Sequence, residues 1–132
     1  MTNDEFKKQL EERTLVFTVA VMSFLYQLPK HPLFSVIITQ LAKSCSSMGA
    51  NYREANRAES KPDFAHKIGV VEKESSETVY WLTALSRLPF LEERLKHDLA
   101  PLLMEGIELL KLFSTIKRKS SLSSKNFRTL EL

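Results

Sequence analysis

The sequence is poor in everything that interrupts a helix. Its 132 residues include three glycines and five prolines, which favours long uninterrupted helices. A single cysteine, Cys45, rules out an intramolecular disulfide and a cysteine-based zinc cluster, and nothing argues for an oxidising compartment. Lying on an apolar stripe, it reads as a small buried hydrophobe. The most apolar run, Leu15 to Leu28, is broken by Thr18, Ser23 and Gln27 and falls well short of the roughly 20 residues that span a bilayer. The charged N-terminus, with Asp4, Glu5, Lys7 and Lys8, does not fit a signal peptide. A cytoplasmic protein with no membrane contact is expected.

Catalytic signatures are also missing. There is no Gly-rich phosphate loop, zinc-ligand spacing or nucleophile elbow. Four-helix bundles that hold paired metals use a Glu-x-x-His pair with further inward glutamates. Here Glu93 and His97 stand four apart and Glu74 and Glu77 three apart, and no histidine or second carboxylate falls at the required offset. His31, His66 and His97 have no nucleophile paired with them by motif. No metal, no cofactor and no catalytic residue are expected.

What is present is helical periodicity. Thr2 with Glu5 forms a capping box, and Phe6, Leu10, Phe17, Val21, Phe24 and Leu28 follow at helical spacing, predicting a helix over about 3–28 that Pro29 stops. Phe34, Ile37, Ile38, Leu41, Cys45, Met48, Tyr52 and Ala55 predict a second over about 33–58, where Gly49 marks close approach by another helix. Ser60 with Asp63 forms a second capping box, and Phe64, Ile68, Val71, Ser75, Thr78, Leu82 and Leu85 predict a third over about 61–88. Asp98 followed by Pro101 predicts a helix start at 98, separating a short segment over 90–97 from a fourth helix over 98–118. The expected fold is an all-α, antiparallel up-down-up-down four-helix bundle over 1–118, with a basic, Ser-rich tail over 119–132.

Helix 1 carries Leu15, Val16, Val19, Met22 and Tyr26 off its main stripe, so it is apolar nearly all round. Such a helix wants burial on every side, and self-association into a homo-oligomer is the simplest answer. The alternative covers it with the tail through Leu122, Phe127 and Leu130. Asn51 and Glu54 of helix 2 face Lys67, Glu74 and Glu77 of helix 3 as a candidate interhelical polar network or interface. Arg53, Arg57 and Lys61, spaced by four, form a candidate phosphate-contacting ridge. Lys117, Arg118 and Lys119 join it as candidate nucleic-acid contacts, since the tail is strongly basic while the rest of the chain is nearly neutral. Tyr80 and Trp81 are a candidate partner surface.

From Cys45 through Met48-Gly49-Ala50-Asn51-Tyr52-Arg53-Glu54-Ala55, then Ala58-Glu59-Ser60-Lys61-Pro62-Asp63-Phe64 and His66-Lys67, the sequence resembles a bacterial four-helix-bundle family. That family is named for proteins encoded within intervening sequences of 23S ribosomal RNA genes. Glu72-Lys73-Glu74, Glu77 and Tyr80-Trp81-Leu82 extend the likeness, which covers about residues 5 to 118. It implies a homopentamer without enzymatic activity, related to the accessory variability determinant of diversity-generating retroelements, a partner of reverse transcriptase and nucleic acid. Where the family usually has Ser-Gly-Thr-Ser before the glycine, this chain has Ser44-Cys45-Ser46-Ser47. The expected function is non-catalytic binding of RNA or a ribonucleoprotein by an oligomer. The alternative is a protein-interaction scaffold or accessory subunit, for example of a reverse transcriptase, without direct RNA binding.

Overall fold

The computed structural model describes residues 1–131, with side chains placed through residue 122. Four helices follow one another: α1 (Asn3–Tyr26), α2 (Pro32–Ala55), α3 (Lys61–Arg87) and α4 (Glu93–Glu131). Each packs on its neighbours in chain order, and α1 closes the ring against α4, more loosely than α3 packs on α2 and α4. The topology is the up-down-up-down bundle that the periodicity predicts.

Local chemistry sets the helix starts. The Thr2 hydroxyl accepts from the Glu5 N–H at 3.1 Å, and the Glu5 carboxylate accepts from the Thr2 N–H at 3.1 Å, completing the first capping box. The second is only half built: Ser60 accepts from the Asp63 N–H, but the Asp63 carboxylate turns to the Glu59 N–H at 3.3 Å. His31 caps α2, its Nδ1 accepting from the Leu33 N–H at 3.1 Å just ahead of Pro32.

The break expected at Asp98 is absent. One helix begins at Glu93, runs through Pro101 and continues past residue 118 to Glu131, so neither the separate 90–97 segment nor the end at 118 exists. An interior proline costs about 3 kcal/mol. Leu95 and Leu99, both buried, stabilise the helix by about 1.5–3 kcal/mol each. His97, whose carbonyl loses its partner to Pro101, is exposed, so water can satisfy it. The continuous stripe from Leu91 through Leu95 and Leu99 outweighs the local stop signal.

The core joins Leu10, Phe17, Val21 and Phe24 of α1 to Leu41, Met48 and Tyr52 of α2, Ile68, Val71 and Leu82 of α3, and Leu99, Leu109 and Phe113 of α4. Tyr52 and Phe113 meet at 5.2 Å between ring centroids. Phe6, predicted on the core stripe, is 37% exposed. Leu122 is exposed, and Phe127 and Leu130 lie outside the described side chains.

Two glycines let α1 approach closely. A Cβ at Gly49 would sit 3.4 Å from Thr14 Oγ1, an ordinary contact, whereas one at Gly106 would sit 3.2 Å from Leu82 Cδ1 and 3.5 Å from Phe17 Cζ. Leu82 is fully buried and has nowhere to retreat. Urea unfolding should therefore show Gly49→Ala raising stability by about 0.5–1 kcal/mol, the helix-propensity gain, and Gly106→Ala lowering it.

Candidate functional site

The antiparallel arrangement brings the start of α1, the end of α2, the start of α3 and the outer part of α4 to one end of the bundle. All six sequence-predicted cations therefore share that end, but they differ in what they touch. Arg53, half exposed, faces Glu11 of α1 at 3.8 Å. Lys117 folds over Gly69 and donates to the Ala65 carbonyl oxygen at 3.0 Å, joining α4 to α3. Arg57, Lys61, Arg118 and Lys119 are exposed and form no ion pair among the described residues. Lys61 and Lys119 line a common cavity of about 440 Å³ together with Lys7, which the sequence reading missed. Nothing in the spacing of Lys7 on α1 could have shown that it meets residues more than fifty positions away.

The predicted α2–α3 polar network does not close within the chain. Asn51 donates back to the Ser47 carbonyl oxygen at 2.7 Å. Lys67 pairs with Asp63 of its own helix at 3.1 Å and holds that carboxyl below its usual range. Glu54, Glu74 and Glu77 have no ion-pair partner among the described residues. Lys67 and Asn51 thus meet acceptors one turn away on their own helices, the spacing at which helical side chains are neighbours. The α2–α3 link is instead two buried hydroxyls, Ser44 and Thr78, with Oγ atoms 3.0 Å apart.

The polar cross-links that do join helices were not legible in the sequence. Arg13 of α1 grips Glu105 of α4 with two hydrogen bonds of 2.8 and 2.7 Å, and this pairing raises the Arg13 pKa. Asn56 donates to the Glu11 carboxylate at 3.0 Å. The Thr18 hydroxyl lies 3.1 Å from the Cys45 carbonyl oxygen.

Tyr80 and Trp81 part company. Trp81 packs against the core, with its indole N–H buried and without a partner, while Tyr80 is 63% exposed and meets it edge-on at 5.0 Å. Tyr80 borders a groove of about 530 Å³ that also contains Leu110 and Glu77.

The face of α1 that points away from the bundle is apolar. Val16 and Val19 are 58% and 57% exposed, Tyr26 is 93% exposed, and Leu15 and Met22 are also exposed. Leu15, Val19, Met22 and Tyr26 repeat at steps of four, three and four, the spacing of a helix-packing seam. Beside it, Thr14, Thr18, Ser46, Gly49 and Ala50 line a shallow groove of about 270 Å³ between α1 and α2.

Among the described residues, no three His, Cys, Asp or Glu side chains gather as a metal site. No described helix is long and apolar enough to cross a membrane. These features define an all-α four-helix-bundle protein whose distinctive surfaces are an apolar helix face and a basic end. The chain belongs to the family of 23S rRNA-intervening sequence proteins, whose pattern matches residues 7–115. It is similar to a crystal structure from Bacteroides thetaiotaomicron, a protein of unknown function from the S23 ribosomal protein family. The two are 28% identical with a TM-score of 0.72, over 85% of this chain and 97% of that one. No curated protein matches the sequence. The match to residues 7–115 leaves most of the basic extension of α4 outside the family pattern.

Cys45 is fully buried, and burial pushes its thiol up from 9.0 to about 11. The unfolded chain ionises at the lower value, so the neutral thiol's contribution to stability is whole below pH 9.0 and declines as pH rises toward about 11. Denaturation midpoints measured across this range should fall with pH in the native chain. They should fall less steeply in Cys45→Ala.

Proposed function

We propose that this protein is a non-catalytic homo-oligomer, acting in the cytoplasm, that associates with RNA or a ribonucleoprotein. The observation that carries the proposal is the outer face of α1, where Leu15, Val16, Val19, Met22 and Tyr26 stand in solvent on a helix whose inner face is already buried. Five apolar side chains on one helix form a surface that monomers rarely leave open, and a neighbouring copy of this chain, meeting it head-to-tail with a different face as a closed ring requires, is the simplest cover. The family resemblance favours five subunits.

RNA is favoured as the ligand for two reasons. The basic end of the bundle presents Arg57, Lys61, Arg118 and Lys119 without competing carboxylate partners, which suits phosphate contact. The family's description by 23S rRNA intervening sequences, and the Bacteroides protein's by an S23 ribosomal protein family, point the same way.

A second reading, a protein scaffold or accessory subunit, draws on Tyr80, whose exposed ring braced on Trp81 resembles an interface anchor. A protein partner retained after nuclease treatment and lost in Tyr80→Ala would favour it.

Light scattering should give a mass several times that of one chain, and Val19→Glu, which places a charge on the seam, should yield folded monomers. A native chain that is monomeric at all concentrations overturns the assembly. Association with a fluorescent single-stranded RNA should weaken by about tenfold or more between 50 and 200 mM salt, as release of counterions from several phosphates requires.

A further inference from the structure

At the basic end of the bundle, two adjoining cavities of about 440 and 290 Å³ share Lys7, Asn56 and Phe64 among their lining residues. Together they fall in the size range of small-molecule sites. One lobe is cationic and the other is aromatic. We propose that they form a single binding site for a nucleoside phosphate, with the phosphate in the lysine lobe and the base in the aromatic lobe.

The lysine lobe draws Lys7 from α1, Lys61 from α3 and Lys119 from α4. None of the three is paired with a carboxylate among the described residues, and Glu59 is the single acidic residue in the lining. Lysines converging from three helices repel one another, an arrangement that an anion relieves.

The aromatic lobe holds Phe6, Tyr52 and Phe64, with Ile116 beside them. Phe6 lies on the core-facing stripe of α1 yet is 37% exposed, because it borders this cavity rather than another helix. A base stacked there gains contact that the bundle itself does not supply. Asn56 lines both lobes. Its Nδ2 is committed to the Glu11 carboxylate, which can only accept, so the amide orientation is fixed by chemistry. Its Oδ1 is enclosed and accepts no hydrogen bond, so Asn56 shapes the wall shared by the two lobes and is not a contact to the base. Inorganic phosphate alone satisfies the lysines but does not use Phe6.

Arg57 and Arg118, exposed at the same end, extend the basic surface along which a strand continues from a seated terminal nucleotide. In this form the inference rests on the RNA reading above, while the pocket also accepts a free nucleotide on the same chemistry.

The test uses the full chain, with fluorescence anisotropy for a short 5′-phosphorylated single-stranded oligoribonucleotide and calorimetry for AMP and inorganic phosphate. Lys61→Glu and Lys119→Glu should each weaken oligonucleotide binding by roughly tenfold, the loss expected for one charged contact. Phe6→Ala should weaken the oligonucleotide and AMP but not phosphate, and Lys30→Glu, at the opposite end of the bundle, should change nothing. Circular dichroism melts establish that each variant is folded. If the native chain binds RNA and the pocket variants bind it equally well, the pocket is overturned and the RNA reading stands. If AMP binds in a Lys61- and Phe6-dependent manner while RNA does not, the pocket stands and the RNA reading falls. If neither ligand binds, both are overturned.

Discussion

The bundle depends on how α1 is seated. Phe17 lies against Gly106 of α4, where a larger residue would crowd Leu82, and Thr14 lies against Gly49 of α2 at ordinary contact distance. The helix is apolar around most of its circumference, so hydrophobicity alone does not decide which side faces inward. The notch at Gly106 that receives Phe17 does, and the polar contacts at the flanks agree with it. Arg13 reaches Glu105 on one side, and Thr18 reaches the Cys45 carbonyl on the other. Once that rotation is set, Leu15, Val19, Met22 and Tyr26 have no place within the chain. The surface proposed for assembly is thus a consequence of close packing elsewhere.

The same topology sorts the charges. Cations that lie against a neighbouring helix become structural: Arg13 ties α1 to α4, and Lys117 ties α4 to α3. Several cations at the end of the bundle where α1 and α3 begin have no ion-pair partner among the described residues. Lys7, Lys61 and Lys119 are of this second kind, and they converge because antiparallel helices alternate in direction. Exposed ion pairs contribute little to stability. What separates the two groups is availability to a ligand more than energy.

Much of the fold was legible in the chain. The Thr2 and Glu5 pair, the proline stop after Leu28 and the stripes from Phe34 to Ala55 and from Ile68 to Leu85 encode three helices locally, and the structure has them within a few residues. Pro101 misled because a proline signal is read over one turn, while the helix through it is held by leucines spread over several. The α2–α3 charge seam misled for the converse reason. Opposite charges on facing helices suggest pairing, but Lys67 meets Asp63 and Asn51 meets Ser47, each one turn away on its own helix. Tyr80 and Trp81, adjacent in sequence, diverge because successive helical positions point about 100° apart.

The sequence by itself determined the helices, the bundle class, the inert buried cysteine and the excess of apolar surface on α1, because each depends on spacing within a few turns. Only the tertiary structure decided which cations meet. The lysine lobe, the Arg13–Glu105 clamp and the lone acceptor of Asn56 all join residues distant in the chain. Such contacts follow from the rotation of each helix about its own axis, and that rotation is settled by packing among all four helices together.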